Sequence, residues 1–325
     1  MGSKLSEQTS PLNNEYLEQY QSVIIDAVLR DKPLNSERFS TAHIFQAIFE
    51  ELVSSYRQGT KSALTLGPLP VQLVLIPGVL NEIFDKVAFE KGAEILSQKF
   101  GINYLPVRVR GIRGPDYNSK TIFAFLKAHI KKNPDATFWL VGHSKGSIDC
   151  LHFLSRHPRF ARKYIKGLTT IAAPICGSKR PGHLLLRMLN YVYQWPLDLI
   201  IGDNLKKLDC YAHEVQEALS IPFRQKWFKK NACKLPQNIF YTSLALESNF
   251  FEGATSMKIT KLLFPSKAKN DGIVDVDEAH FPPNFKHYNL GTVRGDHLIG
   301  QDESAVEQEA LLAAHVILLK YLGHL

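Results

Sequence analysis

Residues 137–151 read TFWLVGHSKGSIDCL. The first half, rich in aromatic and β-branched residues, is a short apolar run of the kind that makes a buried strand, and the second half closes in a helical pattern. Between them lies Gly142-His143-Ser144-Lys145-Gly146, which must turn a strand into a helix with almost no loop. Such a corner crowds its own side chains. Glycines at 142 and 146 relieve the crowding and let Ser144 stand out above the C-terminal edge of a sheet, in the arrangement G-x-S-x-G.

The same alternation extends outward. Upstream, VQLVLIPG (71–78) is a strand ending in Pro-Gly, 82–100 a helix stopped at Gly101, and INYLPVRV (102–109) a second strand. A helix over 119–132 starts at Ser119 and stops at Asn133-Pro134. ATFWLVG (136–142) is the third strand, 145–156 a helix ended by His157-Pro158, and IKGLTTIAAP (165–174) the fourth strand. After about sixty residues without this rhythm come the strands NIFYTSLAL (238–246) and HYNLGTV (287–293), then a helix over 303–322. Short apolar strands alternating with helices predict an α/β fold: a mostly parallel sheet with helices on both faces. Residues 13–30 and 36–58 read as two further helices, set off by GTKSALTLGPLP (59–70). The expected organisation is a helical N-terminal extension over 1–68 and an α/β domain over 69–325, with a helical cap inserted at about 177–237.

A chain of 325 residues has ample core, and 45% hydrophobic with 22% charged residues is ordinary for a soluble globular protein. The net charge of +8 is scattered, which suits anionic surfaces or substrates, and no nucleic-acid-binding motif appears. Cys150, Cys176, Cys210 and Cys233 show no metal-finger spacing, so free thiols in a reducing, cytoplasmic setting are expected. No apolar run is long enough for a membrane span and no secretory signal is visible. MGSKLS (1–6) fits the N-myristoylation pattern, with Gly2 and Ser6 in the required places; a chance match or an appended Met-Gly-Ser is the preferred reading, since the motif alone is weak.

A serine hydroxyl needs a base to take its proton, and the base needs an orienting carboxylate. NDGIVDVDEAH (270–280) offers Asp271, Asp275, Asp277 and Glu278. Asp271 is preferred because Asn270 and Gly272 flank it in a turn after a strand, with Asp275 next. GTVRGDHLIG (291–300) places His297 just after the last strand, ahead of His280 and His287 as the base. Asp296 beside it is read as solvated. Two backbone N–H donors must hold a tetrahedral oxyanion: Lys145, immediately after the serine, and Val79, in the Pro77-Gly78 turn after the first strand of the sheet.

With IPGVLNE (76–82), VGHSKG (141–146), TIAAPICGS (170–178), NDGIV (270–274) and GDHL (295–298) in this order, the chain resembles the α/β-hydrolase superfamily and, within it, bacterial serine lipases and esterases, over roughly residues 70–325. It departs from that branch at Pro77-Gly78, where His-Gly is usual, and at Lys145, where a small or amide residue is usual. The resemblance implies a Ser144-His297-Asp271 triad acting on carboxylic esters through an acyl-enzyme. Thioesterase, amidase and acyltransferase activities would use the same groups, and a non-catalytic hydrolase-fold binding protein is the alternative of another class. Lipases of this type often hold a structural calcium; Asp275, Asp277 and Asp296 offer oxygens, but the spacing demands no metal and no cofactor is expected.

In the expected cap, HLLLRMLNYVYQWPLDLII (183–201) is strongly apolar, and FRQKWFKKNACK (223–234) mixes Phe223, Trp227 and Phe228 with Arg224, Lys226, Lys229, Lys230 and Lys234. The first favours a greasy acyl substrate. The second suits a membrane surface or a phosphate-bearing headgroup, or simply a helix packed on the core with a solvated basic face.

Overall fold

A computed structural model describes residues 14–79, 81–179, 213–249, 268–301 and 304–325. Its centre is a six-stranded, all-parallel sheet: β1 (Gln72–Ile76), β2 (Tyr104–Pro106), β3 (Phe138–His143), β4 (Ile165–Ile171), β5 (Phe240–Glu247) and β6 (Tyr288–Arg294), in spatial order β2-β1-β3-β4-β5-β6. Every residue of β3 is buried, as expected of a parallel strand covered on both sides. The order reverses at β1–β3, the switch point whose C-terminal edge is where an α/β fold places its ligands.

Helices α1 (Asn14–Leu29), α2 (Thr41–Arg57), α3 (Glu90–Phe100) and α8 (Ala305–Tyr321) cover one face. The N-terminal helix α2 packs directly on β6 and α8, and Phe45, Ile48, Phe49 and Leu52 line its inner side. Ser40 caps α2 by accepting the His43 N–H, and the His43 ring returns a bond to the Ser40 N–H. The other face carries α4 (Pro115–Lys132), α5 (Lys145–Arg156), α6 (Pro158–Tyr164) and α7 (Ile221–Asn231) around a core of Ile122, Leu126, Phe153, Leu154 and Trp227.

Several boundaries differ from the sequence reading; α2, read from 36, begins at Thr41 after the Ser40 cap, and β4 ends at Ile171 rather than 174. Helix α3 begins at Glu90 rather than near 82, because Phe89 has φ of 67° and its N–H donates to Gly300 O, which bends the chain out of helix just before. Strand β2 keeps only three residues: Val107 N–H still reaches Leu75 O, but Val109 N–H turns back to Val107 O. Helix α4 starts at Pro115, where proline has no N–H to lose. Pro158 likewise opens α6 rather than only closing α5.

The apolar stretch 183–201, Cys210 and the MGSKLS motif lie outside the described residues. Of the expected cap, a helical turn at 213–218 and α7 are seen. Trp227 and Phe228 are buried, while Lys226, Lys229, Lys230 and Lys234 face outward. This is the pattern of a helix packed on the core with a solvated basic face. Cys150, Cys176 and Cys233 are free thiols. Among the described residues no helix is long and apolar enough to cross a membrane.

Candidate active site

Ser144 joins β3 to α5 with φ 52° and ψ −128°, a conformation that costs a non-glycine residue of the order of 1–3 kcal/mol and persists only where its surroundings enforce it. They do: Ser144 N–H donates to Ile171 O at 2.8 Å, locking the corner to the end of β4. A Cβ on Gly146 would lie 2.3 Å from Ile76 O and 2.4 Å from Pro77 O, so only glycine lets α5 start this close to β1. A Cβ on Gly78 would lie 2.9 Å from Ser144 Cβ, so the 77–79 turn is pressed against the serine. Val79 N–H has no acceptor among the described residues, and Lys145 N–H lies in the first turn of α5, where no helical acceptor exists. Lys145 directly follows Ser144, and Val79 directly follows the Gly78 that is pressed against it.

Asp271 sits in a turn beside the end of β5, where the Ser248 N–H donates to Asn270 O at 3.2 Å. Its Oδ1 accepts the N–H groups of Ile273 and Val274 at 2.8 and 2.7 Å, and its Oδ2 accepts from His297 Nδ1 at 2.7 Å. The His297 backbone N–H donates to Asp271 O at 3.0 Å, so backbone and side chain fix the pair together. An ionised carboxylate only accepts, so in the neutral ring the proton sits on Nδ1 and Nε2 is left with the lone pair. Ser144 Oγ and His297 Nε2 are both buried with no hydrogen-bond partner, so the bond between them is not formed here; such bonds commonly tighten only in the substrate complex. The His297 ring lies 4.9 Å from the His143 ring, which meets Phe89 edge-on at 5.6 Å. Burial, with the neighbouring His297 second, holds His143 well below the usual histidine range, so it stays uncharged beside the base.

The rival groups are placed elsewhere. His280 Nδ1 bonds Ser243 Oγ and His287 Nδ1 bonds Phe285 O. Asp277 pairs with Lys179 Nζ at 2.7 Å, and Glu278 accepts the Lys179 N–H. Asp275 precedes a short 3-10 turn, and Asp296 accepts the Leu298 N–H. Asp275, Asp277 and Asp296 are not gathered into a cation site: among the described residues no three His, Cys, Asp or Glu side chains converge.

The charge at Lys145 is neutralised inside the protein. Its Nζ donates to both oxygens of Asp149, at 3.0 and 2.9 Å, one helical turn along α5. Lys145 is 1% exposed and Asp149 0%, and Asn118 Nδ2 donates to the same carboxylate at 2.8 Å. The side chain thus points down the helix, away from the N-terminal end of α5 that carries Ser144. Sequence reading missed Asn118 and Asp149; the i,i+4 spacing of Lys145 and Asp149 was the available signal.

The sequence matches no family model and no curated relative. The fold, however, has clear counterparts. A metagenomic carboxyl esterase superimposes with a TM-score of 0.65 at 20% identity, over 84% of this chain and 90% of its own. Lipase 1 of Pelosinus fermentans gives 0.53 at 14% identity, over 75% and 97% of the two chains. The mature lipase BlEst2 of Bacillus licheniformis gives 0.51 at 19%, over 74% and 87%. With a six-stranded parallel sheet, helices on both faces and a serine at the corner after β3, the chain has the α/β-hydrolase fold.

Proposed function

We propose that the protein is a serine hydrolase of carboxylic esters. The observation that carries this reading is the Asp271–His297 pair, buried and fixed by backbone bonds, with Nε2 unpartnered and the His297 ring 4.9 Å from the ring of His143, the residue that precedes the strained Ser144. In the proposed reaction, Ser144 Oγ forms a bond to the ester carbonyl carbon as its proton passes to His297 Nε2. The carbonyl π electrons move onto oxygen, where the Val79 and Lys145 N–H groups receive them. That oxygen re-forms the double bond, the C–O bond to the alcohol breaks, and the alcohol leaves with the proton from His297. Water then repeats the sequence on the acyl-enzyme, returning the acid and the free serine. Asp271 stabilises the imidazolium at each stage.

Acyl or otherwise lipid-like esters are the proposed substrates, on the strength of the apolar 183–201 sequence and the fold shared with esterases and lipases. Thioester, amide and acyl-transfer chemistry would use the same five groups. The basic outward side of α7 is the proposed contact with an anionic membrane surface.

The test is labelling with a fluorophosphonate probe, which forms a bond only with an activated serine. Wild type should label and Ser144→Ala should not; Ser144→Ala or His297→Ala should cut ester turnover by roughly 10⁴-fold or more. Wild type that stays unlabelled and inactive on p-nitrophenyl esters from acetyl to palmitoyl would leave a non-catalytic binding protein as the reading.

A further inference from the structure

An oxyanion hole works only if its two donors keep a fixed separation, because donors placed in advance need not reorganise as charge develops. Here they come from chain segments sixty-odd residues apart, and a continuous chain of hydrogen bonds, from part-buried at the Glu82 end to fully buried at Asp149, links the two segments. It starts in the turn carrying Val79. Asn81 Nδ2 donates to Val109 O at 3.0 Å, and Glu82 Oε1 accepts the Gly111 N–H at 2.7 Å. The residue between those two, Arg110, is held by Asn118 on α4: Arg110 N–H donates to Asn118 Oδ1 at 3.1 Å and Asn118 Nδ2 donates to Arg110 O at 2.8 Å. The same Asn118 amide donates to Asp149 Oδ2, and Asp149 holds Lys145 Nζ with both oxygens. Lys145 carries the second donor.

Stability does not account for this arrangement. A fully buried ion pair is often no more stabilising than apolar side chains of the same size, because two charges must leave water. Asn118, Asp149 and Lys145 are all at most 1% exposed, and the amide of Asn118 spends its bonds on two other segments rather than on its own helix. What these bonds do provide is a rigid strap, residues 109–111, clamped between the Val79 turn on one side and α4 and α5 on the other. We infer that Glu82, Asn118 and Asp149 are positioning residues, which set the distance and direction of the Val79 and Lys145 N–H groups for the transition state without touching substrate. The inference rests on the proposed reading of Ser144 and of these two donors.

The experiment uses the full chain carrying Glu82→Ala, Glu82→Gln or Asn118→Ala. Glu82 is exposed, so its variants should fold; Gln keeps the acceptor oxygen for Gly111 N–H, and Ala removes it. Active sites are first titrated with the fluorophosphonate. Turnover per titrated site is then measured on a p-nitrophenyl ester, together with inhibition by the matching trifluoromethyl ketone, whose serine adduct carries a tetrahedral oxyanion. Removing one oxyanion donor outright costs about 10²–10³ in kcat, so loosening one should cost roughly 10-fold to 100-fold. Glu82→Ala and Asn118→Ala should lower kcat by that factor, with KM within about threefold. Inhibitor affinity should weaken in step with kcat/KM, and Glu82→Gln should restore most of the loss. Three results would overturn the inference: wild-type kcat per titrated site in Glu82→Ala, a rise in KM alone, or Gln behaving like Ala. If Asn118→Ala does not fold, the Glu82 pair still decides. Failure of wild type to label at Ser144 would instead sink the reading beneath it.

Discussion

Beneath α2, α3 and α8, the deepest polar cluster carries no charge. Trp139 Nε1 and Thr242 Oγ1 each donate to Thr169 Oγ1 at 2.9 Å, and the single Thr169 proton therefore goes to His315 Nε2, 2.6 Å away. Burial pushes His315 down to about 3, so it remains neutral. Beneath α4, α5 and α7 the interior is ionic. Besides Lys145 and Asp149, Arg224 is 0% exposed, donates to Ile175 O and His152 Nε2, and is pushed down by burial to about 9. His152 in turn bonds Asp116, which also pairs with Arg156. Neutral polar groups are inexpensive once paired, whereas buried ions carry a desolvation penalty that packing alone gives no reason to accept. The first face holds the fold together; the second fixes what stands behind the serine.

The largest contrast should come from deletions. Asp149→Leu leaves a buried ammonium without a counter-ion and should cost about 3–5 kcal/mol, while Lys145→Met combined with Asp149→Leu should recover most of that stability and still leave turnover depressed. On the other face Phe45→Ala should cost about 3–5 kcal/mol for the lost burial and the cavity left behind. Chemical denaturation of these variants checks both; a double variant as unstable as Asp149→Leu would erase the distinction.

Acid should act next, and on both faces. Burial pushes His152 and His280 from 6.5 down to about 4. Between those values the unfolded chain binds protons that the native state does not, so stability is complete above 6.5 and falls as the pH drops toward 4. At 1.36 kcal/mol per unit, the loss reaches roughly 3 kcal/mol for each histidine; His315 extends it toward 3. Urea midpoints that stay level from about pH 7 to about pH 4.5 would contradict this.

The smallest effect is reserved for ions left in water. Lys179 and Asp277 pair at 2.7 Å with side chains 53% and 60% exposed, and Lys179→Ala should change stability by less than about 1 kcal/mol in the same assay. A loss as large as that of Asp149→Leu would mean that burial is not what separates the two kinds of pair.

Much of this was legible beforehand. All six strands, the serine corner and the loops carrying Asp271 and His297 follow from apolar runs and turn chemistry, because a buried parallel strand and a strand-to-helix corner each restrict residue type locally. The start of α3 was not legible, since it depends on a tertiary bond from Phe89 N–H to Gly300 O. Nor was α6, because a proline marks a helix start as readily as a stop. The Asn118–Asp149 linkage leaves almost no local trace: a polar residue on a helix reads as solvent-facing until the fold shows what covers it.

The backbone at Ser144 carries a consequence for any attempt to exchange the attacking atom. With φ 52° and ψ −128°, position 144 excludes side chains branched at Cβ. A thiol can stand in for the hydroxyl there, because cysteine has the same unbranched shape, whereas threonine would force the corner open and drag the 77–79 turn with it. Redesign of this scaffold toward sulfur chemistry is thus open, and toward a secondary alcohol it is sterically closed.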